Sequence, residues 1–377
     1  MIDLRAHSVL QYPTHADLVE SSCPPALSVS TGLDAIIVPA ARPAENLATA
    51  VNLAQDTGAR LVVLCSFRTH ADDVRALLAG HRLRDPAVVE MPQECREWIL
   101  GNFETTKWVQ DGPGRGVCGA RKSDLSMKRN TGLLLARMLG WDRIFFLDDD
   151  IRSVSAGTVF STVSLLGPNG YGYRTAGMSV KRYPDNSVVC HARREVGEYQ
   201  DVFVSGSALA VDCRAPFDFF PDLYNEDWLF FYRDAAEERL ATPGSLVEQL
   251  PYDPFADPQR AAAQEFGDVI AEGLYALLHG RLGPEAADKE YWKQFLKSRT
   301  TVLDDVGTRL LNLPPDLRSE VGKAIGAARQ VLGDISEQMC VDYVAAWQRD
   351  LKSWDSLLAD LRGVSSLEAA LQRIGLR

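Results

Sequence analysis

The chain has 377 residues, 46% hydrophobic and 24% charged, as in a globular protein with one large domain and an appendage, or with two domains. Its 40 basic and 51 acidic residues leave a net charge of −11. This charge argues against a general nucleic-acid binder and against binding to an anionic membrane through bulk charge.

Residues 1–32 lack hydrophobic periodicity, so we predict an irregular lead-in. The segment from Met1 to Leu10 has no basic region followed by an apolar core, which argues against a secretory signal. No apolar run approaches the roughly 18 residues that a membrane span needs, so no membrane span is expected. The seven cysteines are scattered and form no C-x-x-C pair, which disfavours a disulfide framework or a zinc site. We therefore expect a cytoplasmic protein.

Strand-like and helix-like segments alternate from residue 33 to about residue 240. Apolar runs at 35–38 and 61–65 indicate strands, and a helix is predicted between them, from Ala44 to Gly58. This alternation predicts an α/β domain over 33–240, with a mostly parallel sheet and helices on both faces. Ligands of such sheets bind at the carboxyl ends of the strands.

Residues 92–123 are rich in glycine and are expected to form a long loop. A helix is predicted over 126–140, directly before the next strand. Lys122 and Arg129 are the nearest upstream cations that could reach a bound base or phosphate, although ordinary surface charge explains them equally well.

The run from Arg143 to Ile151 passes from apolar residues into three carboxylates and predicts a buried strand with an acidic end. Side chains alternate along a strand, so we expect Asp148 and Asp150 on one side and Asp149, in a structural role, on the other. Two adjacent carboxylates repel each other unless a cation lies between them, and Mg²⁺ or Mn²⁺ is the expected cation. A solvated acidic turn is the alternative.

Two further segments with strand-like alternation are predicted at 177–183 and 201–211, before a helix that starts at 225–228. Asp227 is a candidate general base, since a carboxylate near an acceptor hydroxyl can take its proton. Acidic residues also favour the start of a helix, which would explain Glu226 and Asp227 without catalysis.

Residues 241–377 are predicted to form an all-helical extension. An apolar stripe from Val321 to Leu361 indicates a long amphipathic helix, broken at most once. This stripe either packs on the protein's own body or forms a homodimer interface. His279 follows an apolar helical stripe and, as a lone histidine at a helix end, is expected to cap the helix or lie at the surface.

Five of these segments, taken in order, resemble the motifs of nucleotide-sugar glycosyltransferases with the GT-A fold, nearest to the large family 2 type. The resemblance covers roughly residues 34–235. The matching segments are Pro39–Leu47 (first strand end), Lys128–Leu133 (R-N-x-G helix), Asp148–Asp150 (D-x-D metal motif), Gly206–Leu209 (acceptor-side strand) and Asn225–Trp228 (E-D motif).

The resemblance implies a Rossmann-like GT-A domain that transfers a sugar from a UDP- or GDP-sugar to an unknown acceptor, with Mn²⁺ or Mg²⁺ as cofactor. It implies an inverting reaction with Asp227 and Glu226 as catalytic residues, and a metal held by Asp150 and Asp148, with His279 as a possible third ligand. The residues expected to contact the nucleotide are Pro39, Ala40, Arg42, Glu45, Ser66, Lys122, Arg129, Asp148, Asp149, Gly206 and Ser207. Two alternatives remain at this point: a retaining transferase with His279 on the metal, and a non-catalytic scaffold that binds nucleotide sugars.

Overall fold

The computed structural model describes residues 14–22, 32–92, 98–118, 123–181 and 186–376. Its centre is a β-sheet, and helices cover both faces of that sheet. No helix in these ranges is both long enough and apolar enough to cross a membrane.

The sheet is mostly parallel, as predicted. Its strands are β1 (Glu20–Ser21), β2 (Ala35–Ala40), β3 (Arg60–Cys65), β4 (Ala87–Glu90), β5 (Arg143–Leu147), β6 (Ile151–Arg152), β7 (Thr175–Val180), β8 (Val204–Asp212), β9 (Leu240–Thr242) and β10 (Leu246–Gln249). They lie in the order β1-β9-β7-β8-β5-β2-β3-β4, and β10 pairs with both β7 and β6. Strands β5, β2, β3 and β4 are parallel to each other, whereas β8 runs antiparallel to β5 and β7. The carboxyl ends of β2, β3 and β5 therefore meet at one edge.

The helices alternate with the strands in the first part of the chain and follow one another in the last part. They are α1 (Ala48–Thr57), α2 (Ala71–Leu78), α3 (Glu104–Gln110), α4 (Gly114–Val117), α5 (Leu125–Leu139), α6 (Ala156–Ser164), α7 (Val188–Glu195), α8 (Glu226–Ala236), α9 (Pro258–His279), α10 (Lys289–Arg309), α11 (Pro315–Asp334), α12 (Glu337–Asp360) and α13 (Leu367–Arg373). Short 3₁₀ turns occur at Ala16–Leu18, Ala44–Leu47, Pro284–Ala286 and Leu310–Asn312. The long loop predicted at 92–123 is wrong in part, because α3 and α4 lie within it.

The two faces of β5 contribute to two different hydrophobic clusters. Ile144 and Phe146 pack with α5 and the later helices, whereas Phe145 and Leu147 pack with α1, α2 and α6. All four side chains are buried, which explains why this strand is apolar at every position and not only at alternate ones.

The C-terminal helices share a hydrophobic core with one face of the sheet. Strand β10 lies beyond residue 240, so the all-helical region begins at Pro258 and not at residue 241. The long apolar stripe is divided into α11 and α12 at Ile335, as the single predicted break. Trp347 and Trp354 of this stripe are buried within the protein, so this part of the stripe packs on the protein's own body.

Candidate functional site

The three aspartates form a tight turn at the carboxyl end of β5. The strand ends at Leu147, and the amide of Ile151 donates to the carbonyl of Asp148 at 3.1 Å. The amide of Asp148 donates to the carbonyl of Ser207 at 2.9 Å, which joins the turn to β8. The predicted strand is therefore confirmed over Arg143–Leu147 and wrong from Asp148 to Asp150, where the contacts of the turn, not strand alternation, set the side-chain directions.

Asp149 anchors this turn to the end of β2. One of its carboxylate oxygens accepts the backbone N–H groups of Ala41 and Arg42, each at 2.7 Å. The other oxygen pairs with the Arg42 guanidinium at 2.5 Å. Both oxygens of this buried carboxylate are thus bound by the chain itself, which supports the structural role and not the predicted contact with a nucleotide.

Asp150 is buried beside two side chains from distant parts of the sequence. Its Oδ2 pairs with the Arg42 guanidinium at 2.7 Å and accepts the side-chain amide of Gln249 at 3.2 Å. Burial raises the pKa of Asp150, and the charge of Arg42 opposes this rise. The Arg42 side chain itself is 44% exposed, so this pair lies at the edge of the site. No sequence signal pointed to Gln249, which β10 carries to the turn through its pairing with β6.

Arg129 connects the aspartate turn to the E-D pair. It lies on α5 and is 2% exposed. One terminal nitrogen donates to both oxygens of Asp148 at 3.2 and 3.0 Å, and the other donates to Glu226 at 2.8 Å. A methyl group on Gly206 would lie 2.6 Å from the guanidinium carbon. Gly206 therefore leaves the space that Arg129 occupies, a different role from the predicted nucleotide contact.

Asp227 is buried in the first turn of α8, and both of its oxygens are oriented by backbone amides. Oδ2 accepts the N–H of Gly206 at 2.9 Å, and Oδ1 accepts the N–H of Trp228 at 2.9 Å. Burial, followed by the negative charge of Glu226, raises the pKa of Asp227 to about 6. A carboxylate with this pKa is mostly ionised at neutral pH yet basic enough to accept a proton.

Lys128 joins the ends of β2 and β3, a role that the sequence did not reveal. Its ammonium group donates to the carbonyl of Ala40 at 2.7 Å and to the hydroxyl of Ser66 at 2.6 Å, and it pairs with Asp124 at 3.0 Å. Its buried amine lies 5.8 Å from the centre of the Phe67 ring. Its position next to Arg129 in the helix is the sequence feature that could have indicated this role. Ala40 and Ser66, two residues expected to contact the nucleotide, thus accept hydrogen bonds from a side chain of the protein.

Lys122 lies outside the described residues. Two other predicted residues do not join this group. Glu45 lies exposed in the 3₁₀ turn after β2. His279 is at the end of α9, where its Nε2 donates to the carbonyl of Thr14 at 2.7 Å. The trio of Asp148, Asp150 and His279 does not assemble, because Thr14 holds the histidine ring elsewhere. Within the described ranges, no three or more His, Cys, Asp or Glu side chains are grouped so as to hold a metal ion.

The charges of the site suit a divalent cation whose remaining coordination positions are filled by a bound ligand. Five carboxylates (Asp148, Asp149, Asp150, Glu226 and Asp227) lie around two arginines (Arg42 and Arg129). The negative charge is therefore in excess, and burial raises the pKa of Asp148 to about 7. Hard cations such as Mg²⁺ need only one or two carboxylates when water and phosphate oxygens complete the shell. Asp148 and Asp150 fit that donor chemistry.

No protein-family model matches this sequence, and no curated protein matches it significantly. The contacts and charges of the site therefore carry the functional conclusion.

Proposed function

We propose that this protein is a metal-dependent glycosyltransferase with a GT-A fold, which moves a sugar from a nucleotide diphosphate to an acceptor hydroxyl. One observation carries the proposal: Arg129 pairs with Asp148 at the end of the central strand and with Glu226, next to Asp227. The D-x-D-like turn and the E-D pair thus belong to one site, although they lie at least 76 positions apart in the sequence. The sequence order of these motifs is the order found in the family that the chain resembles.

The donor side of the site is the aspartate turn. Asp148 and Asp150 are the residues that would hold Mn²⁺ or Mg²⁺, and a bound ion would neutralise the diphosphate as it leaves. Asp149 keeps the turn attached to β2, and Lys128 keeps the ends of β2 and β3 together. These contacts fix the strand ends that a nucleotide would bind.

The acceptor side is Asp227. Its two backbone hydrogen bonds fix the plane of the carboxylate, which leaves the remaining lone pairs to accept the proton of a hydroxyl. A base that activates the acceptor for direct displacement of the nucleotide inverts the anomeric configuration. The retaining alternative requires His279 at the metal, and the bond of His279 with Thr14 gives it no support.

The proposal is tested with purified protein, Mn²⁺ and a panel of UDP-, GDP- and dTDP-sugars, by following free nucleotide. Slow hydrolysis of one donor is expected in the absence of an acceptor, because water can take the acceptor's place. In Asp227→Asn this turnover should be lost while Mn²⁺-dependent donor binding is kept, because Asp227 is not on the donor side. Donor binding without turnover in the wild type would favour the non-catalytic scaffold instead.

A further inference from the structure

We infer that the C-terminal helical region positions the proposed base, because α9 holds the turn at Tyr224–Asn225 from which Asp227 projects. This inference rests on the proposed function of Asp227. It assigns Asp268, Gly267 and Arg299 as positioning residues, none of which belongs to the aspartate turn or the E-D pair.

The turn before α8 is joined to α9 by a side-chain contact. Asn225 has φ 62°, in the left-handed region that asparagine adopts more readily than most residues with a side chain. It occupies the N-cap of α8, yet its side chain makes no capping bond to the helix. Its side-chain amide instead donates to Asp268 of α9 at 2.9 Å. The side chain of Asn225 therefore connects the start of α8 to α9.

Two further contacts join α9 to the same turn. A methyl group on Gly267 would lie 2.3 Å from the carbonyl oxygen of Tyr224, so the two backbones can approach only because residue 267 is glycine. Directly after Asp227, the hydroxyl of Tyr275 donates to the carbonyl of Trp228 at 2.9 Å. Helix α9 thus holds α8 on both sides of Asp227.

Asp268 is itself fixed by a buried arginine. Arg299 of α10 is fully buried and pairs with Asp268 at 3.0 Å, with Glu265 at 2.8 Å and with Glu272 at 2.7 Å. These three acids lie on one face of α9. Since Arg299 holds one carboxylate oxygen of Asp268, the other oxygen is directed at Asn225. The buried network therefore extends from α10 to the residue that precedes the E-D pair.

A displacement of this turn should affect the chemical step and not donor binding. Asp227 and the amide of Trp228 move with the turn, whereas Asp148 and Asp150 belong to the end of β5. A shift of about 1 Å in a reacting group can cost on the order of a hundredfold in rate.

Gly267→Ala tests the inference directly, and Gly170→Ala is its matched control. A methyl group on Gly170 would lie 2.2 Å from the carbonyl oxygen of Ser164, a backbone contact as close as the one that Gly267→Ala creates, but Gly170 lies between α6 and β7 and outside α9 and α10. Both variants should lower the midpoint of thermal unfolding. In donor hydrolysis, Gly267→Ala should lower kcat on the order of tenfold to a hundredfold. The donor KM of both variants, and the kcat of Gly170→Ala, should stay within roughly twofold of the wild type.

Hydrogen–deuterium exchange gives a second readout, which needs no activity. The amides of Gly206 and Trp228, which donate to Asp227, should exchange faster in Gly267→Ala and not in Gly170→Ala. Asn225→Gly, which accepts the left-handed conformation but lacks the amide bond to Asp268, should show the same effect. Unchanged exchange in both Gly267→Ala and Asn225→Gly, or equal kcat in Gly267→Ala and Gly170→Ala, would overturn the positioning role. Absence of any donor turnover in the wild type would instead overturn the proposed function, and exchange would still decide whether α9 holds the turn.

Discussion

Removal of the positive charge at Arg129 tests the electrostatic organisation of the site. Arg129→Met keeps most of the side-chain length but leaves Asp148 and Glu226 buried without their common partner. Loss of one partner of a buried ion pair costs about 3–5 kcal/mol, because the remaining charge has no compensation. We expect a loss of unfolding free energy of this size near pH 8.

The same loss should be smaller in mild acid. Burial raises the pKa of Asp148 to about 7, and Arg129 is the main influence that opposes this rise, so the pKa should be still higher in Arg129→Met. An acid whose pKa is higher in the folded than in the unfolded state destabilises the fold as the pH rises between those two values. In the wild type this decline ends near pH 7, whereas in the variant it continues above pH 7. At about pH 5.5 Asp148 is protonated and no longer adds an unpaired charge, so the loss of unfolding free energy in Arg129→Met should be smaller than near pH 8.

Urea unfolding, followed by tryptophan fluorescence at both pH values, measures this difference. Arg349→Met is the control, because Arg349 pairs with Glu104 at 2.6 Å while both side chains are about half exposed. An exposed pair of this kind contributes about 0–1 kcal/mol, so the control should lose little stability at either pH. Equal losses for Arg129→Met at the two pH values, or a loss no larger than that of the control, would refute the electrostatic account.

Two other substitutions have defined outcomes. In Gly132→Ala the new methyl group would lie 2.8 Å from Ile37 and 2.9 Å from Phe146, so overpacking between α5 and the sheet should cost about 1–3 kcal/mol in urea unfolding; unchanged stability would show that α5 can shift freely. Asp218 is buried beside Arg233, and burial raises its pKa to about 7, so the wild type should lose stability as the pH rises from about 4 to 7. Asp218→Asn removes this titration and should reduce the difference in unfolding free energy between about pH 5 and pH 8 by about 2–3 kcal/mol, and an unchanged pH dependence would contradict the assignment.

The sequence predicted the features of the fold that depend on local pattern. The apolar run of β5 is buried on both faces, which is why it contains no polar alternation before Asp148. Gly58 and Gly140 end α1 and α5 at φ 69° and 68°, in the left-handed conformation that marks a helix end.

The details of the site depend on contacts between distant residues, which a local pattern does not contain. The direction of Asp149 is set by the amides after β2, and Gln249 reaches Asp150 only through the pairing of β10 with β6. The resemblance implies His279 at the metal, whereas its Nε2 donates to the carbonyl of Thr14. The turn at Asn225 likewise depends on Asp268 of α9, 43 residues later.

Under the proposed function, the aspartate turn binds a nucleotide diphosphate through a divalent cation. Calorimetric titration of UDP and GDP, with and without Mn²⁺, tests this claim in the wild type and in Asp150→Ala. We predict binding of one nucleotide that requires Mn²⁺ and that weakens on the order of tenfold or more in Asp150→Ala, as expected for the loss of a charged contact. Binding that is equal in the two proteins, or that is indifferent to Mn²⁺, would contradict the claim.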